Sequence, residues 1–249
     1  MFFNPVRTSG QPPVIDPSGD ALFLDFDGTL IEMADHPDLV TVESELIAHL
    51  GELQRACSGA LALVSGRRIV DLDRFLAPLR FSAAGVHGLE QRLEPEGASE
   101  PICGPEMLDE ARESIRAAIA AVPGLNFEDK GTALVLHYRT APELDETAKR
   151  IMRDAIAGRD DLVVMDGKRV IEVHPAGMDK GRAVAALMQR PPFAGRRPVF
   201  IGDDLTDEHA LAFVREQGGV SIKVGIAQTC AEFRLEDVAA VRRWLGLRT

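Results

Sequence analysis

Ala21-Leu22-Phe23-Leu24-Asp25-Phe26-Asp27-Gly28-Thr29-Leu30 decides the fold class. Four apolar residues run straight into two aspartates spaced two apart, followed by a glycine and a hydroxyl. A run this short, closed by a turn signal, reads as a strand buried on both faces, which is the signature of a parallel sheet. In a doubly wound sheet the carboxyl ends of the strands are where ligands bind. Two carboxylates ending an apolar strand are costly unless something positive sits between them. A tight turn starting near Asp27, permitted by Gly28, brings Asp25, Asp27 and the Thr29 hydroxyl around one small ligand. The plain alternative is a surface turn rich in Asp and Gly.

Three further apolar runs, 61–64, 199–201 and 220–224, have the same strand character. Between the first two strands, residues 42–56 carry Leu46, Ile47, Leu50 and Leu53 at helical spacing, with Glu43, Glu45 and Glu52 left for solvent. Other helices are expected from about residue 67, over 182–189 and over 206–214. This alternation predicts an α/β fold with a doubly wound, mostly parallel, Rossmann-like sheet.

The middle of the chain breaks the rhythm. A helical stripe over 106–121 is followed by strand candidates at 126–130 and 132–139 with Gly131 between them, a helix over 143–157, and strands at 162–165 and 169–173. Helix, strand, strand, repeated, makes a helix-backed antiparallel sheet. The expected organisation is a loose tail over 1–19, a core domain of 20–104 with 176–249, and an inserted α+β domain over 105–175.

The balance of 39 acidic against 28 basic residues gives a formal charge of -11. That charge repels nucleic-acid phosphates and anionic membrane surfaces, so neither is an expected partner. Cys57, Cys103 and Cys230 are far apart and form no CxxC pair, which fits a reducing cytoplasm better than a disulfide framework. No apolar run near the N-terminus has the length of a signal peptide or membrane span.

A second acidic cluster, Gly202-Asp203-Asp204-Leu205-Thr206-Asp207-Glu208, again directly follows an apolar strand. Two such clusters need a cation, and a hard ion such as Mg2+ suits carboxylates, water and phosphate oxygens. Asp207 and Glu208 serve equally well as first-turn charges of the following helix. Val64-Ser65-Gly66-Arg67 ends the second strand with a hydroxyl and a glycine amide, and Lys180-Gly181 opens a helix that could aim an ammonium at the same point. Taken singly, each of these two has an ordinary reading, a turn or a solvated lysine.

In their order, Asp-x-Asp-x-Thr, Ser, Lys and Asp-Asp, these motifs resemble the haloacid-dehalogenase-like phosphatase superfamily. That resemblance implies Asp25 as nucleophile, Asp27 as general acid and base, and Ser65 and Lys180 as phosphate anchors. It also implies Asp203 as a magnesium ligand beside Asp25 and the Asp27 carbonyl, with Asp204 orienting the metal site from just outside it. More specific wording, Ala84-Gly85-Val86-His87-Gly88-Leu89-Glu90, His137-Tyr138-Arg139, Glu172-Val173-His174-Pro175 and the 202–208 stretch, is similar to the trehalose-6-phosphate phosphatases. This implies hydrolysis of a sugar phosphate, an inserted cap of C2 type, and Thr29, Gly66, Arg67, His87 and Gly88 close to the substrate. Arg68, in the second motif, carries no inference.

Two-residue alternation puts Glu128 and Lys130 on one face of the first cap strand, and His137 and Arg139 on one face of the next. Glu172 alternates with Ile171 and Val173. Such a face suits the hydroxyls of a disaccharide, and the resemblance implies that it looks toward the catalytic aspartates. The expected partner is a small sugar phosphate and the expected state a monomer or weak oligomer. Competing readings are a phosphatase for another sugar phosphate such as sucrose phosphate, a non-catalytic phosphosugar-binding module, and a phosphomutase. His36, His49 and His209 are expected at the surface or in packing, without a role.

Overall fold

A computed structural model describes residues 10–33, 40–167 and 169–247. β1 (Asp20–Leu24) is buried at all five positions. It earns that place by pairing on both sides, in parallel with β10 (Arg197–Gly202) and with β2 (Leu61–Val64). Beyond them lie β11 (Val220–Val224) with β12 (Phe233–Leu235) on one side, and β3 (Ser82–Gly85), β4 (Glu90–Arg92) and β5 (Glu100–Pro101) on the other. The sheet order is β12-β11-β10-β1-β2-β3-β4-β5, with β3 and β4 antiparallel.

Register, more than any single contact, sets up the chemistry. Leu24 is level with Ile201 of β10 and with Leu63 of β2, so the residues that follow, Asp25, Gly202-Asp203 and Val64-Ser65, emerge along one edge. Asp25 N–H continues the ladder, donating to the Ile201 carbonyl at 3.0 Å.

Helices cover the sheet. α1 (Ser44–Ala56) buries Leu46, Leu50 and Leu53, residues spaced four and three apart on one stripe. Each such leucine contributes about 1.5–3 kcal/mol relative to an exposed one. α2 (Ile69–Leu76) buries Ile69, Leu72 and Leu76 in the same way. The expectation of a loose tail over 1–19 fails for its described part. Ile15 packs against the core, Asp16 N–H donates to Asp20 Oδ2 at 2.8 Å, and Trp244 Nε1 donates to the Pro13 carbonyl at 3.0 Å. Partners for this segment come from the far C-terminus, a pairing that local composition does not reveal. His49 is tied to the Leu245 carbonyl at 2.8 Å, whereas His36 lies outside the described residues.

The chain divides into two compact units, one of residues up to Glu100 together with those from Asp179 on, the other Pro101–Met178. The second has its own sheet, β6-β7-β9-β8, antiparallel throughout: β6 (Asn126–Asp129), β7 (Leu134–His137), β8 (Leu162–Gly167) and β9 (Val170–Pro175). Leu134 and Leu136 of β7 and Ile171 and Val173 of β9 face α3 (Asp109–Ile119) and α4 (Asp145–Ala155), making a separate core with Ile115, Tyr138, Ile151 and Met152. Both helices start later than their apolar stripes suggest, because a turn of 3-10 helix, Pro105–Leu108 and Pro142–Leu144, precedes each.

Candidate active site

Lys180 is the first residue of α5 (Lys180–Met188), held at that point by Asp179, whose side chain accepts from Arg182 N–H at 2.9 Å. The lysine is only 3% exposed, so its ammonium must find acceptors. Nζ donates to Asp25 Oδ1 at 2.7 Å and to Asp207 Oδ1 at 2.6 Å. Asp25 Oδ2 accepts from the Thr29 hydroxyl at 3.1 Å, so both of its oxygens are oriented.

One carboxylate oxygen each from Asp25, Asp203 and Asp207 lies within 4.8 Å of the others. Three acids against one ammonium leave the cluster short of positive charge. Burial first, then Asp207, push Asp25 well above the usual carboxylate range, against the pull of Lys180. Burial, Asp207 and Asp204 push Asp203 up to about 6. Burial disfavours the charged form of Lys180, but Asp207 and Asp25 outweigh it and hold its ammonium above its ordinary value. An all-oxygen, crowded, partly buried donor set of this kind fits a hard divalent cation.

Two glycines make the crowding tolerable. Gly28 has φ +75°, and a Cβ there would lie 2.2 Å from Asp203 Oδ2. At Gly202 a Cβ would lie 2.4 Å from Asp207 Cγ, so the backbone yields room for that carboxylate to reach Lys180.

Asp27 faces a different partner. Arg67 Nε and Nη2 donate to its two oxygens at 2.6 and 2.7 Å, a bidentate pair. The guanidinium itself sits over the rings of Phe75 and Phe26, at 4.9 and 5.8 Å from their centroids. Arg67, expected near the substrate, is thus placed against Asp27. Ser65 is buried at the end of β2, and its Oγ accepts from Arg67 N–H at 3.2 Å. His87, at φ 55° after Val86 at φ 48°, packs its ring on Gly66, where a Cβ would be 2.6 Å from His87 Cε1. Gly88, at φ 104°, lies so close to the start of α5 that a Cβ would be 3.0 Å from the Asp179 carbonyl.

Asp204, expected to orient the metal site from just outside it, is exposed and lies outside the carboxylate cluster. It caps the 3-10 turn Leu205–Asp207, where it and Asp207 form a reciprocal capping box. Asp207 joins Asp25 and Asp203 in the cluster. The Asp-x-x-Asp spacing reads as a cap, and Asp207 is one: its Oδ2 accepts from Asp204 N–H at 2.8 Å. Its other oxygen meets Lys180, which only the approach of α5 reveals.

The remaining sequence-derived residues lie in the inserted unit. Glu128, Val135 and Glu172 are register partners in one row across β6, β7 and β9, on the face opposite the helices. His137 Nε2 is 2.8 Å from Glu128 Oε2, and Lys130 Nζ is 3.6 Å from Glu172 Oε2. Glu172 is buried and its Oε1 has no hydrogen-bond partner. Arg139 lies two residues beyond the end of β7, half-buried.

A mostly parallel sheet bearing acidic turns and a buried lysine at one edge, with an α+β insertion, defines a haloacid-dehalogenase-like architecture. A haloacid dehalogenase-like hydrolase from B. subtilis shares it over 92% of this chain and 100% of its own, with a TM-score of 0.61 at 15% identity, a likeness of fold alone. Within that class the assignment is narrower, since the trehalose-phosphatase family model matches residues 23–239. The chain belongs to the trehalose-phosphatase family. It is 42% identical over 232 residues to the trehalose-6-phosphate phosphatase of Escherichia coli (strain K12), covering 92% of this chain and 86% of that one. A solved trehalose-6-phosphate phosphatase related protein superposes with a TM-score of 0.72 at 26% identity, over 90% of this chain and 94% of its own.

Proposed function

We propose that the chain hydrolyses trehalose 6-phosphate to trehalose and inorganic phosphate in two half-reactions at Asp25. The observation that carries this reading is the buried Asp25 carboxylate, oriented at one oxygen by Lys180 and at the other by Thr29, at the sheet edge of a trehalose-phosphatase family member. Each carboxylate oxygen keeps a further lone pair for attack. Asp25 forms a bond to phosphorus as the bond to the sugar oxygen breaks, giving an aspartyl-phosphate. Asp27 gives its proton to the departing oxygen, then takes one from the water that releases phosphate and restores Asp25. General acid–base help of this kind contributes about 100- to 10,000-fold. Ser65 and Lys180 anchor the phosphate, with Gly66, His87 and Gly88 close by, while Arg67 governs where Asp27 points. Mg2+, which Asp25, Asp203 and the Asp27 carbonyl would hold with Asp207 beside them, supplies positive charge at the phosphate oxygens.

The core motifs address only the phosphate that all substrates share, so selectivity belongs to the inserted unit. Glu128, Lys130, Glu172, His137 and Arg139 are assigned to the sugar, on the support of the two glutamates that flank Val135 in one row on the sheet face opposite the helices and of the unsatisfied Glu172 oxygen. On this reading the enzyme works on a small sugar phosphate in the cytoplasm, as a monomer or weak oligomer. Phosphate release from a panel of sugar phosphates, with and without Mg2+, tests the proposal. Trehalose 6-phosphate should be the preferred substrate, and preference for sucrose phosphate, or strict need for an activating bisphosphate, would overturn it.

A further inference from the structure

Among the described residues two lysines are buried, Lys180 in the site and Lys223 on β11, the latter 1% exposed. Lys223 Nζ donates to the Asp204 carbonyl at 2.9 Å and lies 3.2 Å from Glu208 Oε1. Glu208, the first residue of α6 (Glu208–Glu216), is itself 2% exposed. Its Oε2 accepts from Cys230 N–H at 2.8 Å and from the Thr229 hydroxyl at 3.2 Å. The pair therefore binds three segments at one point: the end of β11, the loop leading to β12, and the 203–207 turn. Taking two charges out of water costs several kcal/mol per ion, and apolar residues of similar volume often do as well for stability. A buried pair at this position asks for another explanation.

Its location supplies one. The Asp204 carbonyl, which also accepts from Asp207 N–H at 3.3 Å, sits in the middle of the turn that carries Asp203 and Asp207, and the capping box and the Lys180 contact tie the turn further. Asp203, the residue before it, lies so close to Gly28 that a Cβ there would be 2.2 Å from its Oδ2, so the turn has little room to shift. We propose that Lys223 and Glu208 are positioning residues, a strut that fixes the 203–207 turn so that Asp203 and Asp207 converge on Asp25 in the geometry a divalent cation requires. Neither residue belongs to the acidic cluster itself. Their effect on turnover runs through the acidic cluster, and the inference rests on reading that cluster as the cation site.

The test compares wild type with Lys223→Met/Glu208→Gln, which leaves no unpaired buried charge and keeps an acceptor for Thr229 and Cys230. Mg2+ affinity is read by calorimetry, folding by thermal melting, and kinetics on p-nitrophenyl phosphate at saturating Mg2+. A folded double variant should bind Mg2+ about 10- to 100-fold more weakly, the loss typical of residues that orient metal ligands. Its kcat should fall while the KM for the ester stays near that of wild type. Mg2+ affinity equal to wild type in the folded variant would overturn the proposal and reduce the pair to a packing feature. Should the double variant not fold, Glu208→Gln alone carries the test, with Mg2+ binding weakened by about threefold or more as the expected result and unchanged affinity as the refuting one. Wild-type protein that binds no Mg2+ would defeat the underlying reading, whereas tight wild-type binding with an indifferent variant defeats only the strut.

Discussion

Gly28 is fixed by two independent constraints, a left-handed φ of +75° and an Asp203 carboxylate where its side chain would be. A left-handed conformation costs a non-glycine residue about 1–2 kcal/mol, and the clash adds displacement of Asp203. Gly28→Ala should lower stability by at least that amount in urea titrations and should weaken turnover; a variant of wild-type stability and rate would show that the turn accommodates a methyl group. At Asp25 the expected change is larger and purely chemical. Asp25→Asn keeps shape and volume but replaces the nucleophile with an amide, so phosphate release should fall by roughly 1000-fold or more with little change in melting temperature. Turnover near wild type would remove the aspartyl-phosphate route. Both residues stood out in the sequence, because acids and a glycine directly after an apolar run have few structural reasons to be there. Lys223 did not, since one lysine among apolar strand residues gives no hint of the carbonyl it will meet.

At the scale of elements, hydrophobic period was the informative quantity. β2 and β11 match the apolar runs 61–64 and 220–224 end to end, and α1 begins two residues inside the expected 42–56. One of the strands missed on this basis, β3, reads Ser82-Ala83-Ala84-Gly85, with neither β-branched nor aromatic residues. Its burial comes from pairing in parallel with β2, and small side chains suit a place between close neighbours without announcing a strand. β12 and α7 (Val238–Trp244) are short and went unread for the same want of a long pattern. Helix starts matter most where chemistry begins, and α5 starts on Lys180 because Asp179 caps it. Asp179→Ala should cost about 1 kcal/mol of stability, the usual value of an N-cap, measurable by denaturant unfolding. The same variant should reduce turnover through looser placement of Lys180; loss of neither would mean that packing of α5 alone fixes its first residue.

For the whole molecule the division of labour between two units is the main expectation to test. Glu172→Ala should lower kcat/KM for trehalose 6-phosphate by about ten- to a hundredfold, the equivalent of a charged hydrogen bond of about 1.5–3 kcal/mol, while sparing a small phosphate ester. Equal losses on both substrates would assign Glu172 to folding of its own unit. Excess chelator should stop the reaction and Mg2+ should restore it, because the acidic cluster and the phosphate otherwise repel each other; full activity in chelator would remove the cation from the mechanism. The sequence alone marked the α/β class, a change of rhythm in the middle of the chain and the two acidic turns that follow apolar strands, because strand burial and unbalanced charge are local and leave periodic or compositional marks. Only the tertiary structure decided that Asp207 joins the cluster, that Arg67 clamps Asp27, and that Lys223 reaches the Asp204 carbonyl. Each of those depends on the direction of one side chain after distant segments meet, and direction is set by register and packing that no neighbouring residue encodes.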